Sequence, residues 1–141
     1  MTVTLSDEAR RVIALFEEET GATVRDCVVD EEFDRLLVLV KAGEMGQAIG
    51  PGGANVQRVE QRLDREIKLV EDAPTAEDFV ASALAPAAVY NVTISENDNT
   101  VAYAEVADED RGVAIGADGR NIEAARRLAA RHYDVDGIEL T

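Results

Sequence analysis

The sequence is short of the residues that most often carry chemistry. Its 141 residues include one cysteine, one histidine, no tryptophan and 4% aromatic residues. A single thiol excludes a disulfide framework and a cysteine-rich metal site within one chain. Cys27 lies in the apolar stretch "TVRDCVVD", where a buried reduced thiol is the simplest reading. His132 has no cysteine, serine or carboxylate beside it in a recognisable motif and reads as a surface or helix-end residue. No apolar run approaches the ~18 residues of a membrane span, and no charged, apolar, small-residue leader is present. The expectation is a soluble, cytoplasmic protein with no membrane partner.

Positive charge is scarce as well. Asp and Glu number 29 against 14 Lys and Arg, a net charge of −15, and Lys41 and Lys68 are the only lysines. Taken alone, this balance repels a polyanion. An acid-rich, lysine-poor folded chain also resembles proteins adapted to concentrated salt, where screening lengths shrink to about 3 Å. The placement of the charge is more informative than its total. Residues 50–68 and 116–131 hold Arg58, Arg62, Arg65, Lys68, Arg120, Arg126, Arg127 and Arg131 against five acids, about +3, which leaves −18 elsewhere.

Glycine, by contrast, is concentrated. "GQAIGPGGANVQ" at 46–57 places four glycines in its first eight positions, and "GVAIGADGRNIE" at 112–123 repeats the pattern 66 positions later. Gly46, Ala48, Ile49, Gly50, Gly53, Asn55 and Val56 align with Gly112, Ala114, Ile115, Gly116, Gly119, Asn121 and Ile122. Such a period implies a tandem duplication of two small modules, each near the lower size at which a core holds itself together. Pro74 and the acidic "EDAPTAED" mark the boundary, giving modules at 1–73 and 74–141. With no flexible linker, the two are expected to pack in fixed orientation.

Local signals order the elements. "SDEARRVIALFEEETG" has Ser6 as N-cap, acids in its first turn, apolar residues at helical spacing and a stop at Gly21. "TVRDCVVD" and "FDRLLVLVKAG" read as an antiparallel strand pair. Helix, glycine loop and helix follow, and "EIKLVE" closes the module as a strand. The second module repeats α-β-β-α-loop-α-β, with a helix capped by Thr75, strands "AVYNVTIS" and "TVAYAEVA" joined at "ENDN", a short helix from about Glu109, a helix to about Arg131 and the strand "GIELT".

Two Ile-Gly-X-X-Gly loops between helices in this order resemble a tandem pair of type II KH domains, in which the extra helix and strand come first. The segments "GPGGANVQRVEQRLDREIKLVE" and "AIGADGRNIEAARRLAA" resemble the RNA-binding core of the NusA transcription factors, in particular the short archaeal type from a salt-adapted source. The resemblance spans essentially the whole chain. It implies an α+β fold and a non-enzymatic function without cofactor, metal or small-molecule substrate, on nascent single-stranded RNA beside RNA polymerase. Ribosomal RNA maturation or ribosome assembly, and an acidic protein adaptor with purely structural loops, are the competing readings.

KH loops clamp about four nucleotides of backbone. A loop without Cβ atoms lets phosphate approach the main chain, and the next helix turns its N–H groups and positive dipole end toward it. The resemblance therefore places RNA at Ile49, Gly50, Pro51, Gly52, Gly53, Asn55, Arg58 and Arg62, and at Ile115, Gly116, Ala117, Asp118, Gly119, Arg120, Asn121 and Arg127. Val56, Val59 and Leu63, like Ile122, Ala125 and Ala129, share helix faces and are candidates for the core. Asn55 and Asn121 either contact bases or brace the turn. The arginines either touch phosphate or form local ion pairs such as Glu123 with Arg127.

Two features depart from the family. Pro51-Gly52 and Ala117-Asp118 stand where many KH loops have basic or polar residues, and Asp118 faces phosphate with a negative charge. The polymerase-binding domain and oligonucleotide-binding barrel that precede the KH pair in bacterial NusA do not fit in 141 residues. Enzymatic readings lack support: the loops have no Gly-Lys-Ser/Thr ending, and the first has no Rossmann strand-turn-helix setting. Asp108, Glu109 and Asp110 suit a hard cation or, more simply, a helix start.

Overall fold

The computed structural model describes residues 3–141, which divide into two compact units, Thr4–Asp72 and Ala73–Thr141, the latter grouped with Val3. In the first, α1 (Asp7–Thr20) begins where the Ser6 hydroxyl accepts the Ala9 N–H at 3.0 Å, and ends where Gly21, at φ 76°, donates its N–H to the Glu17 carbonyl. These are an N-cap and a left-handed C-cap. Its Ala9, Val12 and Phe16 form one buried stripe. Strands β1 (Val24–Asp30) and β2 (Arg35–Val40) pair antiparallel, while β3 (Glu66–Glu71) joins the other edge of β2 in parallel. A parallel return requires a crossover, which α2 (Met45–Ile49) and α3 (Ala54–Leu63) supply; the glycine loop connects those two helices.

The α1 stripe, Ala48 and Val59 pack on Val24, Cys27, Leu36, Val38, Val40 and Ile67. Leu37 and Leu39 alternate to the opposite face of β2 and are also fully buried, so the strand reads as an unbroken apolar run. At the hairpin, Asp30 accepts a hydrogen bond from Arg35 Nε at 2.8 Å, with both side chains almost completely buried. The guanidinium lies 4.9 Å from the centre of the Phe33 ring. Phe33 itself falls in the turn, because β2 starts at Arg35.

The second unit repeats the plan with α4 (Ala76–Ala83), β4 (Val89–Glu96), β5 (Thr100–Val106), α5 (Arg111–Ile115), α6 (Arg120–Tyr133) and β6 (Gly137–Leu140). Its sheet is ordered β4-β5-β6, antiparallel then parallel. The Thr75 hydroxyl accepts the Asp78 N–H to cap α4. Its core is rich in alanine, including Ala102, Ala104, Ala114, Ala125 and Ala129 around Phe79 and Leu128, and Phe79 stacks on Tyr133 at 4.9 Å. Both first strands carry a bulge, between Val24 and Asp26 and between Val89 and Asn91. After the loops the repeat lengthens: α6 has 14 residues against 10 in α3, so the left-handed C-caps Asp64 and Asp134 lie 70 positions apart. Among the described residues no helix is long and apolar enough to cross a membrane.

Asp30→Ala would remove the buried carboxylate that accepts from Arg35 Nε. Loss of about 3–5 kcal/mol of unfolding free energy is expected, read by chemical denaturation in molar potassium chloride.

Candidate nucleic-acid interface

Each glycine loop is built around a backbone conformation that excludes side chains. Gly50 has φ 76° and ψ 171°, and Gly116 has φ 78° and ψ 168°. Positive φ combined with ψ near 180° is essentially a glycine-only region. A Cβ on Gly50 would stand 2.5 Å from Asn55 Cγ, and one on Gly116 would stand 2.8 Å from the Asn121 backbone nitrogen. Pro51–Gly53 and Ala117–Gly119 then form single 3-10 turns, closed by Gly53 N–H to Gly50 carbonyl at 3.1 Å and Gly119 N–H to Gly116 carbonyl at 3.0 Å.

Within those turns Gly52 and Asp118 share the left-handed region, at φ 61° and 57°. Gly53 and Gly119, at φ 80° and 83°, lead into α3 and α6, and neither helix start has a side-chain cap. The contrast with α1 and α4, each closed by a hydroxyl, is direct. Both loop-following helices thus start without a side-chain cap on their first N–H groups, and α3 has no acid in its first turn, where α6 has Glu123.

The turns are fixed from beneath. The Asn121 side chain is buried and its amide donates to the carbonyls of Ala114 at 3.1 Å and of Leu84 and Ala85 at 3.4 Å. Asn55 donates to the Gln47 carbonyl at 2.9 Å. Of the two roles expected for these asparagines, the structure displays the brace. The short helices are anchored alike: Glu44 accepts the Thr23 N–H at 2.6 Å, and Asp110 accepts the Ala88 N–H at 2.7 Å. The Thr23 N–H holds the Glu44 carboxyl below the usual carboxylate range, helped by the Lys41 and Arg25 charges. Asp108–Asp110 form the 3-10 turn that opens α5.

The expected apolar positions divide in two. Ile49 and Ile115 remain 38% and 39% exposed at matching places before the loops, whereas Val59, Ile122, Ala125 and Ala129 are core. Val56 and Leu63 are half-buried against the first core. Pro51, Ala117 and Asp118 are exposed.

The basic face of α3 is paired. Arg58 and Arg62 both reach Glu19 at the end of α1, the former at 3.8 Å, while their side chains stay about half exposed. Arg65 contacts Glu8 at 3.2 Å and Asp34 at 3.7 Å. In the second unit Glu123 pairs with Arg126, at 2.6 Å. Arg126 also donates to the Ile138 carbonyl and ties α6 to β6, while Arg127 is exposed and Arg120 half-buried. Sequence reasoning misses Glu19, although Glu17-Glu18-Glu19 at a helix C-terminus opposes the dipole and so asks for cationic or N–H partners. Glu17 finds the Val24 N–H and Glu19 the arginines.

Two α-β-β-α-α-β units with an Ile-Gly-X-X-Gly turn at the same point define a tandem KH protein. Residues 11–76 match the KH domain family, and residues 76–141 match the NusA-like second KH domain. A protein from Halobacterium salinarum named "Probable transcription termination protein NusA" is 67% identical over the full length of both chains. One of the same name from Halococcus morrhuae is 64% identical over 99% of each. The Mycobacterium tuberculosis "Transcription termination/antitermination protein NusA" is 34% identical over 65% of this chain and 27% of its own length. The crystal structure of APE1850 superposes with a TM-score of 0.87 at 30% identity, covering 97% of this chain and 100% of the other. The chain belongs to the NusA-like transcription termination proteins, as a pair of KH domains of α+β fold. Its Halobacterium and Halococcus relatives come from salt-adapted archaea, the setting expected from the acidic composition.

Gly50→Ala and Gly116→Ala should each lower unfolding free energy by about 2 kcal/mol or more, from backbone strain and steric conflict together. Gly52→Ala, with nothing within 4 Å of its Cβ, should cost about 1 kcal/mol. Thermal and chemical denaturation of the three variants would show whether this ranking holds.

Proposed function

We propose that the chain binds single-stranded RNA of nascent transcripts through both glycine loops, without catalysis, as a NusA-like elongation and termination factor in the cytoplasm. RNA polymerase is the machinery this brings it to. The observation that carries the reading is the pair of helix starts, α3 and α6, left without a side-chain cap behind glycine-bounded turns. A phosphate oxygen can approach such a turn closely and meet N–H groups and dipole together. Ile49 and Ile115, exposed beside the loops, offer apolar contact to splayed bases.

Arg58 and Arg62 fit the same reading as phosphate ligands held in reserve. Surface ion pairs are worth about 0–1 kcal/mol, so exchanging Glu19 for an RNA phosphate costs little. The role of Asn55 and Asn121 is then indirect, through the shape of the turn.

The structure selects the variants for the test. Gly53 and Gly119 have room for a side chain, with the nearest atoms 3.4 and 3.9 Å from where a Cβ would lie, and Asp tolerates left-handed backbone. A Gly53→Asp, Gly119→Asp double variant should stay folded and lose at least about tenfold in affinity, equivalent to ~1.4 kcal/mol. The assay is titration of a fluorescent single-stranded RNA pool in molar potassium chloride, with single-stranded DNA and duplex RNA as controls. Unchanged binding by the folded variant would point instead to an adaptor whose loops are structural.

A further inference from the structure

The two loops are alike in backbone and unlike in charge. Gly52 sits at φ 61°, ψ 20° and Asp118 at φ 57°, ψ 22°, so the same left-handed residue occupies the third position of each Gly-X-X-Gly turn. A Cβ at Gly52 would meet nothing within 4 Å. The corresponding direction in the second unit is taken by the Asp118 side chain, which is exposed. It does not cap α6. The first loop therefore offers phosphate a neutral turn, and the second offers the same turn with a carboxylate standing beside it.

That carboxylate acts twice against a bound phosphate. It repels the anion directly, and it partly satisfies the positive end of the α6 dipole. Arg120 occupies the first position of α6, where α3 has Ala54, and brings one positive charge back into the same turn. The second loop and the first turn of α6 thus carry Asp118 and Glu123 against Arg120, with Asp118 placed on the loop itself. Salt changes this balance: at 1 M the Debye length is about 3 Å, against about 10 Å at 0.1 M. Concentrated salt mutes the repulsion while leaving direct hydrogen bonds to the turn in place.

We infer that the loops divide the work: the first is a constitutive phosphate site, and the second is a salt-gated one whose gate is Asp118. This rests on the RNA-binding reading above and deepens it. At moderate salt the RNA backbone is held chiefly at Pro51–Gly53. As salt rises, the Ala117–Gly119 turn adds its own phosphate contact, which offsets part of the usual loss of RNA affinity with salt.

The test compares single-stranded RNA affinity of the intact chain, Asp118→Asn and Gly52→Asp from sub-molar to several-molar potassium chloride, with circular dichroism confirming the fold at each point. Asn keeps the left-handed preference and removes only the charge. Asp118→Asn should bind about three- to tenfold more tightly at the low-salt end, the size of one unit charge near a phosphate in water, with the ratio approaching one at the high-salt end. Gly52→Asp should weaken binding by a similar factor and converge in the same way. If Gly52→Asp unfolds, Asp118→Gly replaces it as the second variant, with the result expected for Asp118→Asn. An intact chain that binds RNA while Asp118→Asn shows a ratio of one throughout, or a gain that does not change with salt, would overturn the gate and leave the RNA-binding reading standing. No RNA binding by any of the folded proteins at any salt would overturn both.

Discussion

The two loops depend on a residue that can hold φ near 76° with ψ near 170°, a combination closed to anything with a Cβ. Gly50 and Gly116 meet that demand, and the rest of each turn follows. From there the next three residues close into a single 3-10 turn, the backbone reverses, and a new helix starts in open space with no side chain over its first N–H groups. The asparagines packed against the two glycines complete the constraint, since the space a Cβ would fill is occupied by Asn55 and Asn121. A loop with this shape can accept an anion on its own backbone, and it needs no lysine to do so. In a chain with two lysines that is the relevant economy.

The arrangement of charge follows from the same geometry. An acid in the first turn would compete with a bound anion for the dipole; α6 has Glu123 there, and α3 has none. The acids sit instead at the far end of α1, where the dipole disfavours them, and Arg58 and Arg62 on α3 compensate. One glutamate thereby holds two arginines on the helix that leads away from the first loop. The arginine side chains stay about half exposed in these contacts. In the second unit the equivalent tie uses Arg126, Glu123 and the Ile138 carbonyl, and it serves packing of α6 on β6 more than display.

What was legible in the sequence was local. Ser6, Thr75 and Gly21 marked helix ends because caps are decided within three or four residues, and the paired glycine loops were legible because their spacing repeats. The parallel return of β3 and β6 to the central strands, the burial of Leu37 and Leu39 on the second face of β2, and the Asp30–Arg35 pair inside the fold depend on residues brought together by tertiary structure. The Asn121 brace is of the same kind: its partners Leu84 and Ala85 lie 37 and 36 positions away. A polar residue beside a binding loop suits both contact and support, and only the depth of its burial separates them. The pairing of Glu123 with Arg126 is of this kind too, since both i+3 and i+4 are open on a helix and the Ile138 carbonyl holds Arg126 beside the nearer position.

A chain of net charge −15 that binds RNA looks contradictory only if charge acts at a distance. In dilute salt it does, and the −18 carried outside the loop-following segments would repel a polyanion before any contact formed. In molar salt the screening length falls to about 3 Å, roughly the length of a hydrogen bond. Distant acids then lose their influence on an approaching strand, and under the proposed reading recognition passes to main-chain N–H at the turns, arginines on α3 and α6 and apolar edges at Ile49 and Ile115. Acidity over most of the surface and the proposed RNA binding at two small turns are therefore compatible demands. Their one point of conflict is a carboxylate placed within a turn, and Asp118 is that residue.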